Sequence, residues 1–384
     1  MSGTHGGGNA PRLDLVARPS RAIGGRLTVP GDKSISHRAL MLGALADGKT
    51  RVTGFLPGED CLATMAALDA MGVGFERTGD TSVTIAGAGL HGLASPTSPL
   101  DMGNSGTAMR LLAGLLAGQA FDSTLVGDAS LSRRPMERVA APLRSMGAEI
   151  ATDDGTPPLR IAGGRSLAGI DYEMPVASAQ VKSAILLAGL YANGPTRVTE
   201  TAVTRDHTER MLTTFGQPVR RDGNAVVLDP TGRLAATDVA VPADLSSAAF
   251  FLLAGAIADE GELVLDNVGL NPTRTGVLRI LKLMGASIEI APRGESAGEP
   301  AGKLIVRPSK LRGIEVPPEL VPLAIDEFPL VFVAAALADG DTIISGAAEL
   351  RHKESDRIGV MATGLRALGA VVEERPDGAL IRGG

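Results

Sequence analysis

One phrase recurs five times along this chain, as LDAMG, LRSMG, LTTFG, LKLMG and LRALG, with its closing glycine at Gly72, Gly147, Gly216, Gly285 and Gly369. Self-similarity at a near-constant interval constrains a fold more than any single motif, because each copy must build the same supersecondary unit. After each glycine comes a short alternating run, a polar turn and a second short run, as in AEIATDDGTPPLRIAG from Ala148 and AVVEERPDGALIRGG from Ala370. Alternation on both sides of a turn predicts a pair of strands. Upstream of each copy lies a further apolar helix, within ALMLGALADGKT, MRLLAGLLAGQAFDST, SAILLAGLYANGPT, AAFFLLAGAIADEGE and LVFVAAALADGDT. Glycine after the apolar run supplies the stop, and the Thr/Val-rich segment that follows supplies a strand. The unit therefore reads helix, strand, loop, helix, strand, turn, strand, in roughly 70 residues. Its apolar helix face and apolar sheet face must both be buried against neighbours, which predicts an α/β fold.

With 384 residues, the chain exceeds the roughly 250–300 residues at which single cores stop growing, so two domains are expected. Aliphatic and small residues must fill them, since Trp is absent and Tyr numbers only 2. A net charge of −6 and the lack of a basic run argue against nucleic acid as a partner. A single cysteine, Cys61, excludes an intramolecular disulfide and a Cys-based zinc site, and a cytoplasmic setting is expected. The start MSGTHGGGNAPR lacks the charged and apolar regions of a signal peptide, and residues 1 to about 12 read as a disordered tail. No apolar stretch reaches the ~18 residues of a membrane span.

Polar residues sit at defined places on this scaffold. The first helix of each unit opens on DKSISHR, GNSGTAMR, ASAQVKS, DLSS or DEFP, which offers Ser34, Asn104, Ser178, Asp244 and Asp326 as N-caps. Capping does not account for Lys33 and Arg38, because cations at a helix amino terminus oppose its dipole. An anion held by both the cations and the helix end would, and either a phosphate or a carboxylate satisfies the arrangement. The loops SLSRRPMER, TRDHTER, NPTRTG and ELRHKESDR are also cationic. Each alone could be a solvated turn. Together they can converge on a small, multiply anionic ligand, with arginine suited to bidentate capture. PGDKS approaches a phosphate-binding P-loop, but that motif requires Gly directly before Lys, and Asp32 intervenes. His37, His207 and His352 lack metal-ligand spacing. Asp326 opens the apolar run DEFPLVFVAAAL, so burial should raise its pKa while the helix end lowers it, a balance suited to bonding a hydroxyl. Glu354, between Lys353 and Arg357, reads either as a loop salt bridge or as a proton carrier.

In this order and over about residues 22 to 384, PGDKSISHRALM, GNSGTAMR, SRRPMER, VASAQVKSAILLAGL, NPTRTG, IDEFP and HKESDR resemble the motifs of the 5-enolpyruvylshikimate-3-phosphate synthase family. The resemblance implies two domains built from βαβαββ-type units about a pseudo-threefold axis, with five units present of six expected. Residues 1–30 would be the tail and first strand of domain one, 31–242 the three units of domain two, and 243–384 the remainder of domain one, its third unit missing. The missing unit would have carried a further phosphoenolpyruvate arginine. The activity implied is transfer of the enolpyruvyl group of phosphoenolpyruvate to the 5-hydroxyl of shikimate 3-phosphate, releasing phosphate, in aromatic amino acid biosynthesis. No cofactor and no metal are implied, and the partners are the two small-molecule substrates, with no nucleic acid or membrane, for a monomer.

Residue by residue, the resemblance places Lys33 at both substrates. It places Ser34, Arg38, Ser178, Ala179, Gln180, Arg205, Asp326 and Lys353 at shikimate 3-phosphate, and Gly106, Arg134, Gln180 and Arg357 at phosphoenolpyruvate. Asp326 would take the proton of the 5-hydroxyl and Glu354 would move the proton at the methylene, with Lys33 also catalytic. Gly106 is the compact residue associated with glyphosate sensitivity, and Leu111 stands where the family often has proline. Two rivals differ in what they require. The UDP-N-acetylglucosamine enolpyruvyl transferases share the fold but carry a reactive loop cysteine, whereas Cys61 lies in PGEDCLATM. A binding module that retains only the shikimate 3-phosphate half-site would need little beyond the first three units.

Overall fold

The computed structural model describes residues 16, 18 and 20–384, so the tail expected over residues 1 to about 12 lies outside the described residues. The five apolar runs are helices Lys33–Leu45, Gly106–Leu116, Ala179–Gly189, Leu245–Ile257 and Phe328–Ala336. Each leads into a strand, and the repeated phrase then closes a second helix: Glu59–Asp69, Glu137–Ser145, His207–Thr214, Gly276–Leu283 or Arg357–Ala367. All five closing glycines have φ between 85° and 101°, the left-handed backbone that ends a helix and that a Cβ resists. A hairpin follows each glycine, and its second strand pairs antiparallel with the strand after the first helix, giving five sheets among the described residues.

Four of these sheets carry a parallel edge strand; sequence reasoning expected one of them, a first strand within residues 1–30, and missed the others. Gly25–Leu27 pairs with Leu263–Gly269, Leu100–Asp101 with Ser123–Val126, and Asp171–Glu173 with Thr196–Thr199. Leu234–Ala235 and Val239–Ala240 both pair with Ala46–Thr53. Pieces this short show no alternation to read.

Buried apolar side chains fall into two clusters, one drawn from Ile35 to Val241 and one from Val29 with Ala243 to Ile381. In the first, helix Lys33–Leu45 is buried at every position from Ile35 onward, the polar Ser36, His37 and Arg38 included. The second is less enclosed. Phe250 is 63% exposed and Val360 59%.

The chain passes between the clusters at Pro30-Gly31-Asp32 and Pro242-Ala243-Asp244, and these segments lie side by side. Asp32 N donates to Pro242 O at 2.8 Å and Asp244 N donates to Pro30 O at 2.9 Å. A Cβ on Gly31 would fall 1.8 Å from Gly54 O, so the close approach requires glycine. Both aspartates then cap the helices they precede: Asp32 accepts from Ile35 N at 2.9 Å, and Asp244 from Ser246 N at 3.2 Å and Ser247 N at 3.3 Å.

The capping pattern corrects three expectations. Asp32 rather than Ser34 caps the first helix, because Ser34 is already inside it. Ser105 rather than Asn104 caps Gly106–Leu116. Asp326 lies in the short 3₁₀ turn Ile325–Glu327 ahead of its helix and caps nothing. Ser178 and Asp244 cap as expected.

Arg274, from the NPTRTG loop, fills the space between the two crossing aspartates. Its Nη1 lies 3.1 Å from Asp32 Oδ2, and its Nη2 lies 3.2 Å from Asp244 Oδ1, 2.6 Å from Ser246 Oγ and 3.5 Å from Glu327 Oε1. It is only 4% exposed, so this loop arginine serves the crossing and not a ligand. Burial pushes the Asp32 carboxyl up, but Arg274 and the Ile35 N–H outweigh it and hold the group well below the carboxylate range. Asp244 is raised, by burial and then by Asp32 beside it.

Asp32→Asn keeps a capping oxygen and removes the charge. Because Asp244 and Glu327 still face Arg274, a loss of about 3 kcal/mol is expected, the low end for a broken buried pair. A depressed carboxyl contributes its stability above its unfolded value and loses it as pH falls towards its folded value. In parallel thermal melts the deficit should therefore be complete at neutral pH and shrink below the ordinary 3.8.

Candidate active site

The helix starts of the first cluster form one wall of a cleft. Lys33, the first residue of its helix, is exposed and pairs with Asp60 Oδ2 at 3.1 Å. Ser34 beside it is half-buried. Arg38 turns inward instead of out to solvent: Nε donates to Thr208 Oγ1 at 2.7 Å, Nη2 to Ser183 Oγ at 2.8 Å and Nη1 to Ser34 O at 2.9 Å. Burial lowers it to about 10, which leaves it charged at neutral pH. Ser178 caps Ala179–Gly189, so that Ala179 and Gln180 open that helix.

Gln180 ties two helix starts together. Its Nε2 donates to Thr107 Oγ1 at 2.9 Å, and its Oε1 accepts from Arg110 Nη1 at 2.8 Å. Arg110 also donates to Gly106 O at 3.3 Å and Pro135 O at 3.2 Å. Burial, and behind it Arg138 and Arg134, lowers Arg110 to about 9. Sequence reasoning gave Arg110 no role, although an arginine inside the apolar run MRLLAGLL is a signal of a buried partner set. A Cβ on Gly106 would lie 2.8 Å from Arg110 Nη1 and 3.1 Å from Arg134 Nη1. Arg134 is steadied by Asn104 Oδ1, and Asn104 in turn donates to Asp128 Oδ2 at 2.7 Å.

The opposite wall comes from the second cluster. Asp326 accepts from Arg205 Nη2, while Lys353 Nζ and Arg357 Nη1 each lie 3.5 Å from its Oδ1. Burial would raise this carboxyl, but Arg205, Lys353, Arg274 and Arg357 together hold it far below the usual range. Neighbouring cations, and not the helix end, therefore set its charge. Arg205 belongs to the loop before His207–Thr214, so its bond to Asp326 joins the two walls. Glu354 accepts from Arg357 Nε at 2.9 Å and lies 2.8 Å from Nη2. Although burial acts the other way, Arg357 and, from the first wall, Arg134 keep it below its ordinary value. Lys353 also meets Glu349 at 2.7 Å, a partner absent from the sequence reading. A cavity of about 340 Å³ adjoins this wall, lined by Ser246, Phe250, Asp326, Glu354, Arg357 and Val360 among others.

Cations from several elements thus surround two carboxylates, which suits a multiply anionic ligand and the movement of protons on it. Among the described residues no group of His, Cys, Asp or Glu could hold a metal ion, and no helix is long and apolar enough to cross a membrane. Cys61 is fully buried, and burial pushes its thiol up to about 12, so it lacks the thiolate character of a reactive loop cysteine.

A family profile described as EPSP synthase (3-phosphoshikimate 1-carboxyvinyltransferase) matches residues 17–384. The 3-phosphoshikimate 1-carboxyvinyltransferase of Alkalilimnicola ehrlichii is 60% identical over 372 residues, covering 97% of this chain and 83% of its own length. The protein of that name from Methylococcus capsulatus is 62% identical over 371 residues, covering 96% and 85%. A solved EPSP synthase from Acinetobacter baumannii matches with a TM-score of 0.86 at 55% identity, over 95% of this chain and 83% of that one. Neither the five sheets nor these matches support the expected absence of a sixth unit. A profile spanning nearly the whole chain and relatives this similar settle the family: the chain belongs to the EPSP synthases, the 3-phosphoshikimate 1-carboxyvinyltransferases.

Proposed function

We propose that the chain transfers the enolpyruvyl group of phosphoenolpyruvate to the 5-hydroxyl of shikimate 3-phosphate and releases phosphate. The observation that carries the reading is Asp326, an ionised carboxylate set among Arg205, Lys353 and Arg357 with Glu354 on the same arginine. In this reading Ser34, Arg38, Ser178, Ala179, Gln180, Arg205 and Lys353 hold shikimate 3-phosphate. Gly106, Arg134, Gln180 and Arg357 hold phosphoenolpyruvate, and Lys33 reaches both. Glu354, protonated once the donor's carboxylate draws Arg357 away, gives its proton to the methylene carbon. The adjacent carbon becomes electrophilic, the 5-hydroxyl attacks it, and Asp326 takes the hydroxyl proton. The tetrahedral adduct then expels phosphate as the methyl group returns a proton to Glu354, restoring the double bond. Fixed cations and helix ends stabilise the charge throughout.

The reading extends to two domains, 31–242 and 243–384 joined by 1–30, that close on each other about the paired crossings. It also extends to a monomer working in the cytoplasm.

A second reading, binding of shikimate 3-phosphate with poor turnover, is favoured by the open side of the cavity at Phe250 and Val360, 63% and 59% exposed. Phosphate release in the presence of both substrates separates the two. Turnover that falls by about 10²–10⁴ in Asp326→Asn, with shikimate 3-phosphate still bound, supports the transferase. Binding without phosphate release supports the second reading, and calorimetry showing no binding would sink both.

Gly106→Ala places its methyl against the far ends of Arg110 and Arg134, side chains that can shift without unfolding the helix. The KM for phosphoenolpyruvate should rise by about tenfold while that for shikimate 3-phosphate stays within about twofold. Steady-state kinetics with each substrate varied in turn checks this.

A further inference from the structure

Lys182 is wholly buried in helix Ala179–Gly189, and the chemistry proposed above makes no use of it. Its Nζ lies 2.9 Å from Glu200 Oε1 and 2.6 Å from Glu209 Oε1. These two glutamates stand on either side of the loop that carries Arg205. Glu200 directly follows the strand Thr196–Thr199 before the loop, and Glu209 is in the helix after it. Glu200 also holds the loop itself, accepting from Thr204 N at 3.1 Å and from Thr204 Oγ1, while its second oxygen accepts from Arg221 Nη2 at 2.8 Å. Thr204 is the residue before Arg205. On the far side of the same helix start, Thr208 accepts from Arg38 Nε at 2.7 Å and donates to Ser183 Oγ at 2.7 Å. Lys182 therefore cross-links the segments that place both Arg205 and Arg38.

Stability alone gives little reason for this arrangement. Replacing a buried ion pair with packed apolar groups is often neutral or stabilising, and apart from Ser183 the surrounding run VKSAILL is apolar. What a three-way ionic contact supplies, and a methylene cannot, is a fixed separation between charged groups on different elements.

We propose that Lys182 is a positioning residue for the phosphorylated acceptor: through Glu200 and Thr204 it sets Arg205, and through the helix of Glu209 it sets Thr208 and hence Arg38. The inference rests on the assignment of Arg205 and Arg38 to shikimate 3-phosphate. It gives this network a selective effect, on the acceptor and not on the enolpyruvyl donor.

The test compares Lys182→Met, Thr204→Val and Thr204→Ser in the full chain, with KM for each substrate, kcat and melting temperature measured together. Lys182→Met should raise the KM for shikimate 3-phosphate by about tenfold or more and leave that for phosphoenolpyruvate within about twofold. Thr204→Val, which loses the hydroxyl, should give about a threefold rise, and Thr204→Ser should restore it. In an Arg205→Gln background Thr204→Val should add nothing further, because it acts through a side chain already removed. The inference is overturned if the acceptor KM stays within about twofold in Lys182→Met and Thr204→Val, or if both KM values rise together in step with a lower melting temperature. Should Lys182→Met not fold, the Thr204 series and its Arg205→Gln cycle decide alone. A parent chain that binds no shikimate 3-phosphate by calorimetry removes the underlying assignment and the inference with it, whereas a parent that binds while the variants behave alike removes the inference only.

Discussion

Arg274 touches three carboxylates, and two of them neighbour the residues on which the proposed chemistry depends. Asp32 precedes Lys33, and Glu327 follows Asp326, so a single guanidinium fixes the backbone entering both walls of the cleft. Asp32 and Asp244 also cap the helices they begin, which couples the crossing between the two cores to the direction in which those helices start. Reciprocal amide bonds join Pro30-Gly31-Asp32 to Pro242-Ala243-Asp244, and the Gly54 carbonyl packed on the same segment leaves room for no Cβ at Gly31. A buried ionic cluster of this kind is weak evidence for stability. Its geometric consequence is larger, because moving it moves both walls.

The placement of charge follows from the same construction. The chain carries a net −6, yet Arg205, Lys353 and Arg357 gather on one aspartate, and Arg134 and Arg110 stand behind one glycine. Local rules oppose several of these choices: a lysine and an arginine open a helix whose dipole disfavours them, and an arginine and a lysine sit inside apolar runs. Such departures are expected where function competes with foldability. Arg38 and Arg110 are resolved by partners from another unit, Thr208 with Ser183 and Gln180, whereas Lys33 and Lys182 find theirs within their own unit, at Asp60 and at Glu200 with Glu209.

Those long-range partners mark the limit of what could be read from the chain alone. The recurring phrase was legible because a left-handed glycine after an apolar helix is a local requirement, and all five glycines adopt that backbone. The hairpins were legible for the same reason, and so were the caps at Ser178 and Asp244. The cap at Asp32 was missed because Ser34 is equally good by type, and the choice depends on where the helix begins. Arg274 read as one of several loop cations because its partners lie at positions 32, 244 and 327, far away in sequence. The short parallel edge strands are fixed by the sheet they join and not by their own pattern. Residues of the candidate site were recognisable as motifs, but their charges were not: the state of Asp326 is set by cations contributed from separate loops.

That last point bears on how such a cleft could work. In the free chain the cations are neutralised by Asp326 and Glu354, so both carboxylates are held ionised and are poor proton acceptors. Anionic substrates would compete for those same cations. Each phosphate or carboxylate that engages Arg205, Lys353 or Arg357 withdraws a positive charge from the protein's own carboxyl groups, and their proton affinity rises accordingly. Substrate binding would then do two things through one set of contacts, fixing the reactants and making the acid and base competent. In the proposed reading, a residue that positions Arg205 acts on proton transfer as well as on affinity, and this gives buried Lys182 a route to the chemistry through Arg205.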